Sequence, residues 1–164
     1  MSKKEKIAIV PGSFDPITFG HIYVIKEALK KFDTVYVAVM INKEKNYMFS
    51  LDERKRIVEA ALSTDSVKVI SSEGWLWELA VELNADGIVK GYRNDSDLAY
   101  ELEMASFNEK YAPNSKTVLI KTDSTFEKIS STLVREKIMN NESLKEFVPE
   151  GAIREIIKIQ EEKR

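Results

Sequence analysis

The chain has 164 residues, and its 25 lysine and arginine residues against 27 aspartate and glutamate residues leave a net charge of −2. That balance gives the surface no general attraction for DNA or RNA, so any phosphate that the protein binds must be met by local groups. The chain has no cysteine, which excludes disulfides and thiolate metal sites, and no apolar run approaches the ~20 residues of a membrane span. We therefore expect a single cytoplasmic domain over residues 1–164, with no nucleic-acid or membrane partner.

Five apolar, β-branched runs alternate with segments of helical periodicity. The runs predict strands over residues 7–10, 35–41, 67–70, 88–89 and 117–120. The other segments predict helices over residues 21–32, 51–62, 75–83, 97–111, 132–139 and 152–162. Such alternation is typical of βαβ units, whose parallel sheet needs cover on both faces. The predicted fold class is therefore α/β, a Rossmann-like open parallel five-stranded sheet with helices on both faces.

Three segments that follow predicted strands are expected to be irregular. They cover residues 42–49, 91–96 and 122–129. In an open α/β sheet, ligands bind beyond the carboxyl ends of the strands, where the strand order reverses. We therefore expect these three segments, together with residues 11–20, to line one pocket.

The segment from Pro11 to His21 carries the only histidine of the chain. In it, Gly12 allows close approach of the backbone, and Ser13 offers a hydroxyl. Thr18 and His21, three positions apart, lie on one face where the first helix begins, so two donors converge on one point. Donors at the amino end of a helix suit a phosphate oxygen on which charge develops in a transition state. The structural alternative is that Thr18 caps the helix and His21 is a partly buried, hydrogen-bonded side chain.

Several other phosphate-binding and metal-binding signatures are missing from the sequence. No Gly-x-x-x-x-Gly-Lys-Ser/Thr motif marks a Walker loop, and no Gly-x-Gly-x-x-Gly motif marks a dinucleotide-binding turn. With one histidine and no cysteine, a zinc site is not expected. Kinase and dehydrogenase interpretations therefore both lack their signature.

Four sequence blocks resemble the phosphopantetheine adenylyltransferases, a family of the nucleotidyltransferase superfamily with the class I aminoacyl-tRNA synthetase-like fold. The first block, from Pro11 to His21, is similar to the Thr/His-x-Gly-His signature of the superfamily. The second block is Lys45 ahead of Met48 and Phe49. The third is a Lys-Gly-Tyr-Arg run at 90–93 with Tyr-Glu at 100–101, and the fourth is an Ile-Ser-Ser-Thr-Leu-Val-Arg-Glu run at 129–136. The blocks occur in order, and the similarity covers essentially the whole chain.

The resemblance implies transfer of AMP from ATP to the phosphate of 4′-phosphopantetheine, which yields dephospho-coenzyme A and pyrophosphate. It also implies a homohexamer that uses Mg²⁺, which we expect to arrive with ATP rather than on metal-ligating side chains. The implied catalytic residues are His21, Thr18 and Lys45. The implied ATP-binding residues are Ser13, Phe14, His21, Gly91, Tyr92, Arg93, Glu101, Phe126, Ser130, Ser131 and Thr132. The implied residues for the acceptor substrate are Ser13, Lys45, Leu76 and Lys90.

These roles fit elementary phosphate chemistry. Transfer between two phosphates asks little covalent chemistry of a protein, so positioning and charge neutralisation supply most of the acceleration. The acceptor is a phosphate monoester with a second pKa of about 6, so it is ionised near neutral pH and needs no general base. His21 is therefore expected to serve as a hydrogen-bond donor.

Ordinary structural roles remain open for several of these residues. The hydroxyl residues 130–132 precede a predicted helix and could form a serine-rich helix cap. Arg93 could be a surface arginine that balances Asp95 and Asp97, and Lys45 could be a solvated loop lysine.

Three positions depart from the commonest pattern of the family. Lys90 stands where many members have arginine, Tyr92 where leucine or valine is usual, and Phe126 where a tryptophan is expected. Lysine keeps the charge but lacks the planar fork of arginine, so its hold on the acceptor phosphate is weaker or differently angled. The alternatives are a related nucleotidyltransferase acting on glycerol phosphate or nicotinate mononucleotide, and a non-catalytic nucleotide-binding protein. The apolar content of the predicted helices, generous for a monomer, also predicts a homo-oligomer.

Overall fold

The computed structural model describes residues 4–62 and 65–164. The strands are β1 (Ile7–Gly12), β2 (Thr34–Met40), β3 (Val67–Ser72), β4 (Gly87–Tyr92) and β5 (Lys116–Lys121). The helices are α1 (Phe19–Leu29), α2 (Leu51–Ala61), α3 (Leu76–Glu82), α4 (Asp95–Tyr111), α5 (Ser131–Met139) and α6 (Glu150–Glu162). A single 3₁₀ turn, Ser124–Phe126, lies between β5 and α5. None of the described helices is long and apolar enough to cross a membrane.

All five strands are parallel and lie in the order β3-β2-β1-β4-β5. The chain builds one half of the sheet from β1 to β3 and then returns across β1 to add β4 and β5, so the strand order reverses between β1 and β4. β1 pairs with β2 over its whole length but with β4 at only two positions, Ala8 with Gly87 and Ile9 with Ile88. The carboxyl halves of β1 and β4 are therefore not paired with each other, which leaves a crevice at the reversal point.

This architecture confirms the predicted fold class, with its parallel five-stranded sheet and helices on both faces. The prediction of an irregular segment over 91–96 is wrong. Gly91 and Tyr92 belong to β4, where Tyr92 pairs with Lys121 of β5. α4 begins directly behind Asn94, whose side-chain oxygen accepts the backbone N–H of Asp97 at 2.8 Å. Only residues 93 and 94 separate the strand from the helix.

Two apolar clusters cover the sheet, one on each face. Ile9 belongs to one cluster and its neighbour Val10 to the other, because successive side chains of a strand point to opposite faces. The larger cluster joins the sheet to α1, α2, α5 and α6, and the smaller cluster joins it to α3 and to Ala112 at the end of α4. The core therefore holds the strands rigidly beneath the crevice at their carboxyl edge.

Gly91 lets α1 lie close against this edge. A Cβ at Gly91 would stand 2.6 Å from Cγ2 of Val24, which is well inside van der Waals contact. Any side chain at position 91 would therefore displace Val24 of α1. The glycine brings the amino end of α1 and the carboxyl end of β4 together.

Candidate active site

The amino end of α1 is closed by a reciprocal pair between Thr18 and His21. Thr18 is the N-cap residue, and its hydroxyl oxygen accepts the backbone N–H of His21 at 3.5 Å. In return, Nδ1 of the imidazole accepts the backbone N–H of Thr18 at 3.0 Å. Histidine therefore fills the position that glutamate or glutamine takes in an ordinary capping box. Because Nδ1 accepts, the neutral ring carries its proton on Nε2 and keeps that group as a donor.

The imidazole of His21 is neutral at physiological pH. Burial, and after it the positive charge of Arg93, lower the pKa of His21 from 6.5 to about 4. A neutral Nε2–H at the positive end of a helix can donate to an oxyanion without first losing or gaining a proton. The helix-cap alternative and the functional prediction are thus compatible, since the cap itself fixes the tautomer.

The Phe14 ring packs against the imidazole ring of His21. The two rings meet edge to face, with centroids 5.0 Å apart. Phe14 adopts a left-handed backbone conformation with φ of 48°, which turns its buried side chain back over the loop. A Cβ at Gly12 would stand 3.0 Å from the Phe14 ring, so the glycine provides the room for this turn. Phe14, Thr18 and His21, three of the predicted site residues, therefore pack together.

The end of β4 and the start of α4 bring three predicted cationic or acidic site residues to the crevice. The Lys90 ammonium lies 2.9 Å from Oε1 of Glu101, whose side chain is 7% exposed. Nε of Arg93 donates to Oδ2 of Asp97 at 3.3 Å, with the guanidinium still partly exposed. Lys90 and Glu101 were predicted to serve different substrates, and the structure joins them in one ion pair.

The hydroxyl residues at the start of α5 are fixed by the protein itself. Ser130 is the N-cap residue, and its oxygen accepts the backbone N–H of Leu133 at 3.1 Å. The Ser131 hydroxyl donates to the carbonyl of Pro16 at 2.8 Å, which ties α5 to the first loop. Thr132 accepts a hydrogen bond from Arg135 at 3.0 Å. The first backbone N–H groups of α5 have no partner within the helix and suit an anion.

Phe126 and Tyr92 flank the same region. The Phe126 Cβ would lie 3.9 Å from a Cβ placed on Gly20, and its ring centroid is 5.8 Å from that of Tyr23 on α1. The carbonyl of Tyr92 accepts the backbone N–H of Thr122 at 2.9 Å, which holds the turn after β5 beside β4. The segment after β5 therefore packs against the amino end of α1.

Lys45 and Leu76 belong to elements other than the first loop and α1 that carry His21. Lys45 is exposed in the segment between β2 and α2. Leu76 is the first residue of α3 and packs, half-buried, against the smaller core cluster. The hydroxyl of Ser13 lies 3.4 Å from that of Tyr47, which belongs to residues 41–50 between β2 and α2, the Lys45 segment.

Three charged side chains beneath the site were not singled out from the sequence. Asp15 and Arg54 are only 3% and 1% exposed, and Nη1 of Arg135 donates to the carbonyl of Asp15 at 2.8 Å. Arg54 was the one with a detectable signal, since it stands a turn before Ile57 and Val58 on the buried face of α2. A charge on an apolar helix face indicates a buried partner.

A cavity lies away from these residues. It has a volume of about 730 Å³ and is bounded by the end of α5, residues 141–148 and α6, with Ile138, Leu144 and Ile156 in its lining. None of the predicted site residues lines it. Within residues 4–62 and 65–164, no three histidine, aspartate or glutamate side chains are grouped so that they could hold a metal ion.

Comparison with known proteins gives consistent matches over most of the chain. The sequence model of the cytidylyltransferase-like family matches residues 9–137. A protein of Clostridium novyi (strain NT) named phosphopantetheine adenylyltransferase is 40% identical over 153 residues, which are 93% of this chain and 95% of the relative. Relatives of the same name from Alkaliphilus metalliredigens (strain QYMF) and Francisella tularensis subsp. novicida (strain U112) are 44% and 42% identical. They cover 88% and 92% of this chain, and 93% and 94% of their own length.

Proposed function

Because the chain belongs to the phosphopantetheine adenylyltransferases of the cytidylyltransferase-like family, we propose that it transfers AMP from ATP to 4′-phosphopantetheine. A phosphate oxygen of the acceptor attacks the α-phosphorus of ATP and forms a new P–O bond. The bond between the α-phosphorus and the oxygen that bridges to the β-phosphate breaks, and pyrophosphate leaves with the electron pair. The products are dephospho-coenzyme A and pyrophosphate.

The single observation that best supports this chemistry is the fixed tautomer of His21. Its Nδ1 accepts the Thr18 N–H at 3.0 Å, and its pKa of about 4 keeps the ring neutral. We assign the Nε2–H to the non-bridging oxygens of the α-phosphate, where negative charge builds as the acceptor attacks. Such donors are worth most when they need no rearrangement during the reaction.

Cationic side chains and the amino end of α5 could bind the other phosphates of ATP and the phosphate of the acceptor. We assign Arg93 and the amino end of α5, residues 130–132, to the phosphates of ATP, and Lys45 and Lys90 to the phosphate of the acceptor. Ser13 and Phe14 would then lie between the two substrates. Positioning and charge neutralisation of this kind account for catalysis without a nucleophilic side chain.

The remaining predicted contacts complete this assignment. Gly91, Tyr92, Glu101 and Phe126 would border ATP, and Leu76 would border the pantetheine arm. Mg²⁺ would enter bound to the phosphates of ATP as part of that substrate. We further propose that the enzyme works in the cytoplasm, where the cysteine-free composition fits a reducing milieu.

We propose that the protein assembles as a homohexamer. The only buried residues of the 17-residue helix α4 are Glu101 and Asn108, whereas Tyr100, Leu102 and Tyr111 are about half exposed. An apolar surface of this kind is typical of a protein–protein interface. Light scattering should give a mass of six times 18.8 kDa, and a single 18.8 kDa species would contradict any oligomer.

The proposed reaction is tested by product analysis. Purified protein is incubated with MgATP and 4′-phosphopantetheine, and dephospho-coenzyme A is identified by mass while pyrophosphate release is followed. Glycerol 3-phosphate and nicotinate mononucleotide serve as control acceptors. We expect product only with 4′-phosphopantetheine, and a kcat about 10²–10³-fold lower in His21→Ala with ATP affinity changed only a few-fold. No product, or faster turnover of a control acceptor, would contradict the proposal.

A further inference from the structure

The segment between β2 and α2 carries Lys45 on an exposed turn. The backbone N–H of Lys45 donates to the carbonyl of Asn42 at 3.0 Å, which closes the turn. Nothing in this local hydrogen bond fixes the turn relative to the first loop and His21. The position of the Lys45 ammonium therefore depends on what anchors the segment at its two ends.

Arg54 provides one anchor from beneath the segment. Its Nη1 donates to the carbonyl of Met40 at 2.9 Å, where β2 ends, and its Nε donates to the carbonyl of Phe49 at 3.2 Å, just before α2 begins. The same Nη1 donates to the carbonyl of Ser13 at 2.7 Å. One guanidinium thus fastens both ends of the Lys45 segment to the first loop. At 1% exposure its charge is shielded from water, so these bonds are not exchanged for solvent contacts.

Asp15 provides a second anchor from the first loop. Its Oδ2 accepts the backbone N–H of Met48 at 2.9 Å, and its Oδ1 accepts the backbone N–H of Phe49 at 3.0 Å. Both oxygens of the carboxylate are therefore used to hold two successive residues of the Lys45 segment. Bonds to an ionised acceptor are among the stronger hydrogen bonds in proteins.

Tyr47 connects these anchors to the turn itself. Its ring stacks on the guanidinium of Arg54, with 3.9 Å between Cζ and the ring centroid. Its hydroxyl accepts the backbone N–H of Asn42 at 2.7 Å and lies 3.4 Å from the hydroxyl of Ser13. Asn42 is the residue whose carbonyl receives the Lys45 N–H, so Tyr47 fixes the turn that carries Lys45.

We infer that Asp15, Tyr47 and Arg54, named the loop clasp, are positioning residues that hold the Lys45 ammonium for the phosphate of the acceptor substrate. The inference rests on the proposed function. The three side chains act through backbone groups of the Lys45 segment and need not touch either substrate. A lysine on a well-held turn meets the acceptor phosphate with less loss of freedom on binding.

Tyr47→Phe tests the clasp with the smallest change. The phenyl ring can still stack on Arg54, but the hydroxyl bonds to Asn42 and Ser13 are lost. We expect kcat/KM for 4′-phosphopantetheine to fall about three- to tenfold, as for one net hydrogen bond, while the affinity for ATP stays within twofold. Tyr36→Phe is the matched control, because Tyr36 is also half-buried and its ring also faces a cation, Lys68. It lies in the amino-terminal half of β2, away from the site, and should leave kcat/KM unchanged.

A double-mutant cycle with Lys45→Ala separates positioning of Lys45 from general damage. If Tyr47 acts through Lys45, then Tyr47→Phe has little further effect once the ammonium is gone. We expect Lys45→Ala and the Lys45→Ala/Tyr47→Phe double variant to have kcat/KM values within twofold of each other. A full additional loss in the double variant would overturn the positioning role.

Limited proteolysis gives a readout that does not depend on catalysis. A lysine-specific protease can cleave after Lys43 and Lys45, which are both exposed in the segment. Cleavage requires the segment to open locally, so loss of an anchor should speed it. We expect cleavage at these two sites to be about three- to tenfold faster in Tyr47→Phe than in the wild type and in Tyr36→Phe. Cleavage of Tyr47→Phe at the wild-type rate would overturn the clasp.

Absence of dephospho-coenzyme A in the wild type would instead overturn the proposed function. The proteolysis result would then still decide whether the clasp exists.

Discussion

The lowered pKa of His21 predicts a specific dependence of stability on pH. Between pH 6.5 and about 4 the unfolded chain binds a proton on this imidazole and the folded chain does not. The free energy of unfolding therefore decreases as the pH falls through this window, and His21 contributes no dependence above or below it. The difference between the two pKa values corresponds to at most about 3 kcal/mol, an upper limit because the ring is half-buried and partly screened by solvent.

His21 is the only histidine, so its contribution can be isolated. Urea unfolding is measured between pH 7.5 and 4 for the wild type and for His21→Asn, and the difference between the two curves removes the carboxylates that both proteins share. We expect that difference to change by about 2–3 kcal/mol in the stated direction. Nitrogen NMR of the single imidazole should show a protonated Nε2 and an unprotonated Nδ1 down to about pH 5. Titration near 6.5, or a proton on Nδ1, would refute the assignment of His21 as a neutral donor.

Two further substitutions test the packing and charge of the crevice by urea unfolding at pH 7. Gly91→Ala should lower the free energy of unfolding by about 1–3 kcal/mol through its clash with Val24, whereas Gly74→Ala, where the nearest atom would be 3.8 Å away, should change it by less than about 0.5 kcal/mol. Equal effects would contradict the packing argument. Lys90→Ala should lower the free energy of unfolding by about 1–3 kcal/mol, because it leaves the buried Glu101 carboxylate unpaired. The double variant Lys90→Ala/Glu101→Gln should regain part of this free energy, because it removes the unpaired charge. An unchanged Lys90→Ala variant would show that the pair does not contribute.

The fold could be predicted because each strand and helix carries its own periodic pattern. The limits of β4 could not be predicted, because its last residues are ordered by pairing with β5, as Tyr92 is with Lys121. That pairing depends on a strand that follows almost 30 residues later, after the whole of α4. A local reading of Gly91 and Tyr92 therefore placed them in a loop.

In the candidate active site, likewise, contacts between residues close in the sequence could be predicted and contacts between distant residues could not. Thr18 and His21 interact within one helical turn, so their spacing predicted the contact that the structure contains. Arg54 and Asp15 bind backbone groups 41 and 34 positions away in the sequence, and no local pattern encodes such partners. The ion pair of Glu101 with Lys90 likewise depends on how α4 returns along β4, and the family resemblance had implied separate substrates for the two residues.

The arrangement around His21 is tested most directly by a crystal structure of the protein with ATP bound. We expect Nε2 of His21 within about 3.2 Å of a non-bridging oxygen of the α-phosphate, with Arg93 on the same triphosphate. An α-phosphate beyond hydrogen-bond reach of Nε2, with the triphosphate held at another face of the sheet, would contradict the assignment of this crevice as the site of adenylyl transfer.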